Sequence, residues 1–315
     1  MKLVSIPANP IPENVVAGML KTPDGVLLRF ARWAPPPGRK GTVCVFSGRT
    51  EFIEKYFEVV RDLRSRGFAV AILDWRGQGL SQRALSDPFK GHVNDFSEYD
   101  ADLHTFMADV VLPDCPPPLF AIAHSMGATV LLRAAYRGLR WFDRIVLTAP
   151  MIKLAQLPML GYAQRVARML RLSGLGSSYI PGGDASVLAL RPFAGNPVTS
   201  DPVRYARVAA ILEAEPALGL GSPTIGWANA AFKAMTNLAQ PTYAAEIRQP
   251  ILIAAAGRDQ LVSTSAIEEF AIHLRAGAHV VIAGAMHEIM MEQDRFRTQF
   301  WAASDAFVPG TPLFA

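Results

Sequence analysis

The sequence predicts an α/β protein: a mostly parallel central sheet flanked by helices and interrupted once by a helical insertion. Three observations carry this. Short apolar runs alternate with longer amphipathic segments, the rhythm of strand–helix–strand units. The chain opens differently, on two strand-like runs joined by a tight turn. From Met151 to about Ala245 the strand signals stop, and they resume at Ile251.

With 315 residues, 50% of them hydrophobic, the chain can bury a large core, and 18% charged residues is too few for a disordered one. Gly18–Lys21 and Val26–Trp33 flank Thr22-Pro23-Asp24-Gly25 and read as an antiparallel hairpin. Buried strands follow at Thr42–Phe46, Phe68–Leu73, Leu119–Ala123, Arg144–Thr148, Ile251–Ala255 and His279–Ala283. Short continuous apolar runs of this kind suit strands covered on both faces. Between them Phe52, Tyr56, Phe57, Val60 and Leu63 share a helical face that stops at Gly67. Phe96, Tyr99, Leu103, Phe106 and Val110 share another. The interruption divides the chain into a core of residues 1–150 and 246–315 and a helical cap of residues 151–245.

Cys44 lies in an apolar run and Cys115 in a proline-rich loop, so the two cysteines read as free thiols in a reducing compartment. The N-terminus has prolines at 7, 10 and 12 in place of a continuous apolar run, which argues against a secretory leader. No stretch reaches the roughly 18 apolar residues of a membrane span. The expectation is a cytoplasmic protein.

The chemistry is written where Leu119–Ala123 runs into Ala123-His124-Ser125-Met126-Gly127 and then a helical pattern. A serine at a sharp strand-to-helix turn is held with its hydroxyl clear of the sheet. Small residues two before and two after it let strand and helix approach. Alone, such a serine is often only a helix cap, so it needs a base, and the base needs an orienting carboxylate. In hydrolases built on this turn the chain order is Ser, Asp, His, each at the C-terminal end of a strand. Of six histidines, His92 and His104 precede the serine and His124 adjoins it. His273 falls in a helical pattern and His279 opens a strand. His287 remains, after the loop Gly284-Ala285-Met286. Asp259, in Gly257-Arg258-Asp259 directly after Ile251–Ala256, is the matching acid.

The loop after Thr42–Phe46 is Ser47-Gly48-Arg49-Thr50-Glu51, and the turn after the next strand is Asp74-Trp75-Arg76-Gly77-Gln78-Gly79-Leu80-Ser81. Together with the serine turn these make the chain resemble the monoacylglycerol lipase and bacterial lysophospholipase branch of the α/β-hydrolases. That branch has an H-G-x-G-E loop and a D-x-x-G-x-G-x-S turn at these places. Ser47 stands for its histidine, Thr50 for its second glycine, and Ala123 for the first glycine of G-x-S-x-G. The resemblance implies an α/β-hydrolase fold and an oxyanion hole made by the amides of Arg49 and Met126. It also implies cleavage of carboxylic esters without cofactor or metal. The turn at Asp74 is expected to be chiefly structural. Gly77-Gln78-Gly79 is no dinucleotide fingerprint, because a third glycine is missing.

Residues 151–245 hold eight Lys/Arg against four Asp/Glu, an excess equal to the net charge of +4 for the whole chain. Leu160–Leu172 sets Leu160, Ala163, Val166, Met169 and Leu170 on one helical face with Arg165, Arg168 and Arg171 beside it. A basic amphipathic helix suits a phosphate head group or transient contact with an anionic membrane surface. The plainer expectation is a helix packed on the core with solvated arginines. The expected partner is a small-molecule or lipid ester, not a nucleic acid. A small-peptide hydrolase would share the triad but needs acids gathered around an α-amino group, whereas Asp184, Asp201, Glu213 and Glu215 are scattered. A non-catalytic binding module would usually lack a triad member.

Overall fold

The computed structural model describes residues 3–36, 40–157 and 159–308. One eight-stranded sheet runs through them in the order β1-β2-β4-β3-β5-β6-β7-β8. Its strands are β1 (Val15–Lys21), β2 (Leu27–Trp33), β3 (Thr42–Phe46), β4 (Ala69–Leu73), β5 (Leu119–His124), β6 (Arg144–Thr148), β7 (Ile251–Ala256) and β8 (Gly277–Ile282). β2 alone runs against the rest, pairing antiparallel with β1 and with β4. The hairpin is set by its turn: the Thr22 amide donates to the Val26 carbonyl at 2.9 Å, and Gly25 takes φ +88°, a conformation free of cost only for glycine. β1 begins three residues before the expected Gly18. β8 begins at Gly277 rather than His279 and is largely exposed on its first residues, as an edge strand is.

Every residue of β3, β4, β5 and β7 is buried. The strands still alternate. Cys44 and Phe46 join one core with Ala71, Leu73, Ala121 and Ile253. Val43 and Val45 join the other with Val70, Ile72, Ile122 and Leu252. Helices Ser97–Phe106, Ser125–Tyr136 and Thr264–Ile272 cover the first face, and Phe57–Ser65 and Asp294–Phe307 cover the second. Each fully buried Phe or Leu removed from water contributes about 1.5–3 kcal/mol, which is why both faces are needed.

The two helical faces read from the sequence each contain a change of pitch. Ile53–Tyr56 is a 3-10 turn ahead of Phe57–Ser65, and Ser97–Phe106 passes into a π-turn at Met107–Val111. Between β6 and β7 the chain forms helices Leu160–Leu170, Pro202–Ala214, Ile225–Leu238 and Tyr243–Glu246, with no strand of the sheet among the described residues. Asp201 caps the second of these, its Oδ1 accepting from the Val203 and Arg204 amides at 2.9 Å each. Thr224 caps the third through the Trp227 amide at 3.1 Å.

Candidate active site

β5 ends at His124 and the next helix begins at Ser125, which has φ +50°. A non-glycine residue there is strained, and here the strain turns the hydroxyl outward. Gly127 makes the turn possible: a Cβ on it would lie 2.6 Å from the Ser47 carbonyl oxygen and 2.7 Å from that of Phe46. Met126 is the second residue of the helix, where an amide has no acceptor within the helix.

Asp259 follows β7 and His287 follows β8, and the fold brings both to Ser125. His287 Nδ1 lies 2.7 Å from Asp259 Oδ2, and Nε2 lies 3.0 Å from Ser125 Oγ. A carboxylate can only accept, so Nδ1 carries the proton, and Nε2 is left as acceptor for the serine hydroxyl. The other oxygen of Asp259 accepts from the Leu261 and Val262 amides at 2.8 and 3.0 Å. Burial pushes the Asp259 carboxyl up, but the His287 hydrogen bond and charge, with those two amides, outweigh it and hold it below the usual range. Ser125 is 9% exposed and His287 5%, so the three groups react in a dry setting. The His124 ring packs against His287 with centroids 4.7 Å apart. Burial lowers His124 to about 4, so it is a neutral wall.

The Ser47–Glu51 loop passes directly over the serine. A Cβ on Gly48 would sit 3.2 Å from Ser125 Cβ. Two of its amides are committed: Gly48 donates to the Glu51 carboxylate and Thr50 to Gln78 Oε1 at 2.8 Å. Gln78 Nε2 donates back to the Gly48 carbonyl at 3.2 Å, and Trp75 Nε1 to that of Ser47 at 2.9 Å. Among the described residues the Arg49 amide donates to no protein group. It and the Met126 amide are the two donors that the resemblance assigns to an oxyanion. Thr50, at the position of the family's second glycine, has φ +69°.

Several residues that matter here were not singled out from the sequence. Gln78 lies in the Asp74–Ser81 turn, which was expected to be chiefly structural. Asp74 fits that expectation: it binds the Arg29 guanidinium at 2.6 Å and accepts from the Ile53 and Leu80 amides at 2.9 Å each. Gln78 instead braces the loop. Glu51 is buried with Lys55 at 2.8 Å and Tyr56 at 2.6 Å, and Lys55 also meets Glu288 at 2.6 Å. Burial pushes Glu51 up, yet Lys55, His124 and Tyr56 bring it to about 2. It is therefore a fixed anion.

Arg165, Arg168 and Arg171 are exposed on and just after Leu160–Leu170, and none contacts Ser125, Asp259 or His287 among the described residues. Met169, on the apolar face read from the sequence, is 59% exposed. The inward residue is Ala167, because the face packed on Ile225–Leu238 is narrower than the apolar periodicity suggests. Among the described residues no group of three or more His, Cys, Asp or Glu could hold a metal.

Comparison with known proteins bears on the family and the fold. Residues 37–294 match the family described as serine aminopeptidase, S33. Lysophospholipase L2 of Escherichia coli strain K12 is 32% identical over 286 residues, covering 87% of this chain and 82% of that protein. The rat monoglyceride lipase is 26% identical over 151 residues, 47% of this chain and 45% of that one. Among solved structures, a soluble variant of monoglyceride lipase from Saccharomyces cerevisiae superposes with TM-score 0.74 at 19% identity, covering 94% of this chain and 97% of that one. A thermostable carboxyl esterase from Bacillus coagulans superposes with TM-score 0.75 at 19% identity, covering 95% and 99%. By family match, by relatedness along most of its length and by its sheet, this chain belongs to the serine aminopeptidase, S33, family and has the α/β-hydrolase fold.

Proposed function

We propose that this chain is a serine esterase that hydrolyses lipid esters with an apolar acyl chain, lysophospholipids first and monoacylglycerols next. The observation that carries the proposal is the unbroken chain from Asp259 through His287 to Ser125, at 2.7 and 3.0 Å, in a relative of lysophospholipase L2. Ser125 Oγ attacks the acyl carbonyl while His287 Nε2 takes its proton, and Asp259 holds the ring and stabilises its charged form. The Arg49 and Met126 amides receive the oxyanion, each such donor contributing about 3 kcal/mol. His287 then protonates the departing alcohol, and water repeats the steps to release the acid.

The 151–245 segment acts as the cap. Tyr162, Met169 and Leu172 are 65%, 59% and 75% exposed, and Arg165, Arg168 and Arg171 lie among them. Apolar side chains interleaved with cations suit docking on an anionic lipid surface. No helix among the described residues is long and apolar enough to cross a membrane, so in this reading the chain works from the aqueous phase and touches the surface through the cap. The small-peptide alternative is weaker. A substrate α-amino group needs an uncommitted carboxylate, and Glu51 and Glu288 beside the site are both bound to Lys55.

The test is a panel of a short p-nitrophenyl ester, monoacylglycerols, lysophospholipids and aminoacyl amides. Lysophospholipids should show the highest kcat/KM and the amides none. Ser125→Ala should remove turnover by about a millionfold and abolish fluorophosphonate labelling. Asp259→Asn and His287→Ala should lower kcat by several orders of magnitude with little change in KM. Labelling of another serine with activity retained in Ser125→Ala would reject the assignment.

A further inference from the structure

Arg49 offers the site more than its amide. Its side chain leaves the loop and runs beneath the helical insertion. There Nη2 donates to the Gly221 carbonyl at 2.7 Å, and the guanidinium lies over the Trp227 ring, 5.1 Å from its centroid. Its Nε–H is buried and meets no acceptor among the described residues. The ionisable groups that face it are the phenols of Tyr99 and Tyr179, not carboxylates.

That isolation distinguishes it from the fully buried cations. Arg49 is half-buried, whereas Arg29, Lys55, Arg76, Arg133, Arg204 and Arg297 are buried, and each meets a carboxylate at 2.6–2.9 Å. Burial lowers the Arg49 guanidinium to about 10, so it remains charged at neutral pH. A partly desolvated cation without a counter-charge is costly to keep, and a bound ligand can supply the missing charge.

We propose that the Arg49 guanidinium is the head-group anchor of this site, pairing with the phosphate of a glycerophospholipid whose ester carbonyl meets the amide of the same residue. The proposal rests on the lysophospholipid reading above and names the group that would make the choice. The span from ester carbonyl to phosphorus in a glycerophospholipid is close to the reach of an arginine from backbone to guanidinium. One residue can therefore gauge both points. The guanidinium fork presents several N–H donors, of which Gly221 takes one, and the rest suit a phosphate's paired oxygens. A monoacylglycerol satisfies the oxyanion end but leaves the cation unpaired.

The test measures hydrolysis of p-nitrophenyl butyrate at constant ionic strength, with sn-glycerol 3-phosphate, glycerol or inorganic phosphate as inhibitor. Wild type, Arg49→Lys and Arg49→Met are compared. Glycerol 3-phosphate should compete in the wild type, and its inhibition constant should rise about tenfold to a hundredfold in Arg49→Met. The rise should be smaller in Arg49→Lys, and glycerol should not compete in any form. Each constant is read against that variant's own turnover, so a change in loop geometry cancels. The ratio of kcat/KM for a lysophospholipid to that for a monoacylglycerol of the same acyl chain should fall in Arg49→Met by a similar factor. An unchanged inhibition constant overturns the proposal, as does inhibition by inorganic phosphate that is equally strong in all three proteins. Equal losses on both lipids would mark a residue that only latches loop to insertion, and also overturn it. A wild-type protein that cleaves monoacylglycerols but no lysophospholipid overturns the substrate reading instead. The Arg49 assignment then stands or falls on the glycerol 3-phosphate competition.

Discussion

Thr50 takes φ +69°, where a β-branched side chain crowds its own backbone. Such a residue stores about 1–3 kcal/mol of strain, and glycine removes it while returning about 0.5–1 kcal/mol through the more flexible unfolded chain. Thr50→Gly should therefore stabilise the protein by about 1 kcal/mol, read as a higher urea midpoint with an unchanged slope. A lower midpoint would mean that the threonine side chain contributes more by packing than it costs in backbone. The resemblance marks the position, because it puts a glycine there in the Ser47–Glu51 loop, but the strain itself is read from the structure. Ser125, Asp259 and His287 were legible for a related reason: each sits where a strand ends, and strand ends converge on one edge of a parallel sheet. Gln78 and the Lys55–Glu288 pair were not. Their meaning depends on which loops meet above the sheet, and no local pattern records that.

The helix Leu160–Leu170 shows the same limit one scale up. Its periodicity makes a helix legible, but not the width of the face it packs, and Met169 of the apolar face is exposed. With Tyr162 and Leu172 also outward, the exposed side carries both apolar and cationic groups. Replacing Arg165, Arg168 and Arg171 together by Gln should weaken binding to vesicles containing anionic lipid by at least about tenfold, since each basic residue near such a surface contributes about 1 kcal/mol. Hydrolysis of a short soluble ester should survive, because none of the three touches Ser125, Asp259 or His287. Vesicle binding by the wild type should weaken with added salt, as exposed attractions are screened over about 10 Å at 0.1 M. Sedimentation with neutral and anionic vesicles at two salt concentrations makes the measurement. Equal binding of both proteins to both vesicles would leave these arginines as solvated charges only.

Across the whole molecule, the 151–245 segment is held to the sheet's flanking helices by a charged junction where three helices meet. Glu58, on Phe57–Ser65, binds Arg204 at 2.6 Å and Arg207 at 2.5 Å from the insertion, and Arg297 at 2.9 Å from the last helix. Asp294 adds a second link to Arg204 at 2.6 Å. Such a junction joins segments far apart in the chain, and nothing in the local sequence of Glu58 announces it. Burial pushes the Glu58 carboxyl up, but the hydrogen bond from Arg204, then Arg297 and Arg207, bring it down from 4.5 to about 2. Because the folded value is the lower one, Glu58 stabilises the fold fully above about 4.5, and the contribution fades as pH falls toward 2. Glu58→Gln removes the anion that keeps three arginines together. It should cost about 2 kcal/mol at pH 7, less than a fully buried pair would because the junction is partly wet. The loss should be local as well as global. Amide exchange should quicken in Pro202–Ala214 while β5, which carries Ser125 on its end, keeps its protection. The difference in unfolding free energy between wild type and Glu58→Gln should shrink between pH 5 and pH 3, as Glu58 of the unfolded wild-type chain takes up a proton while the folded carboxylate stays charged. Urea titrations at pH 7, 5 and 3.5 would show it. A difference that stays constant across that range would mean the carboxylate is held by packing, and that the junction does not depend on its charge.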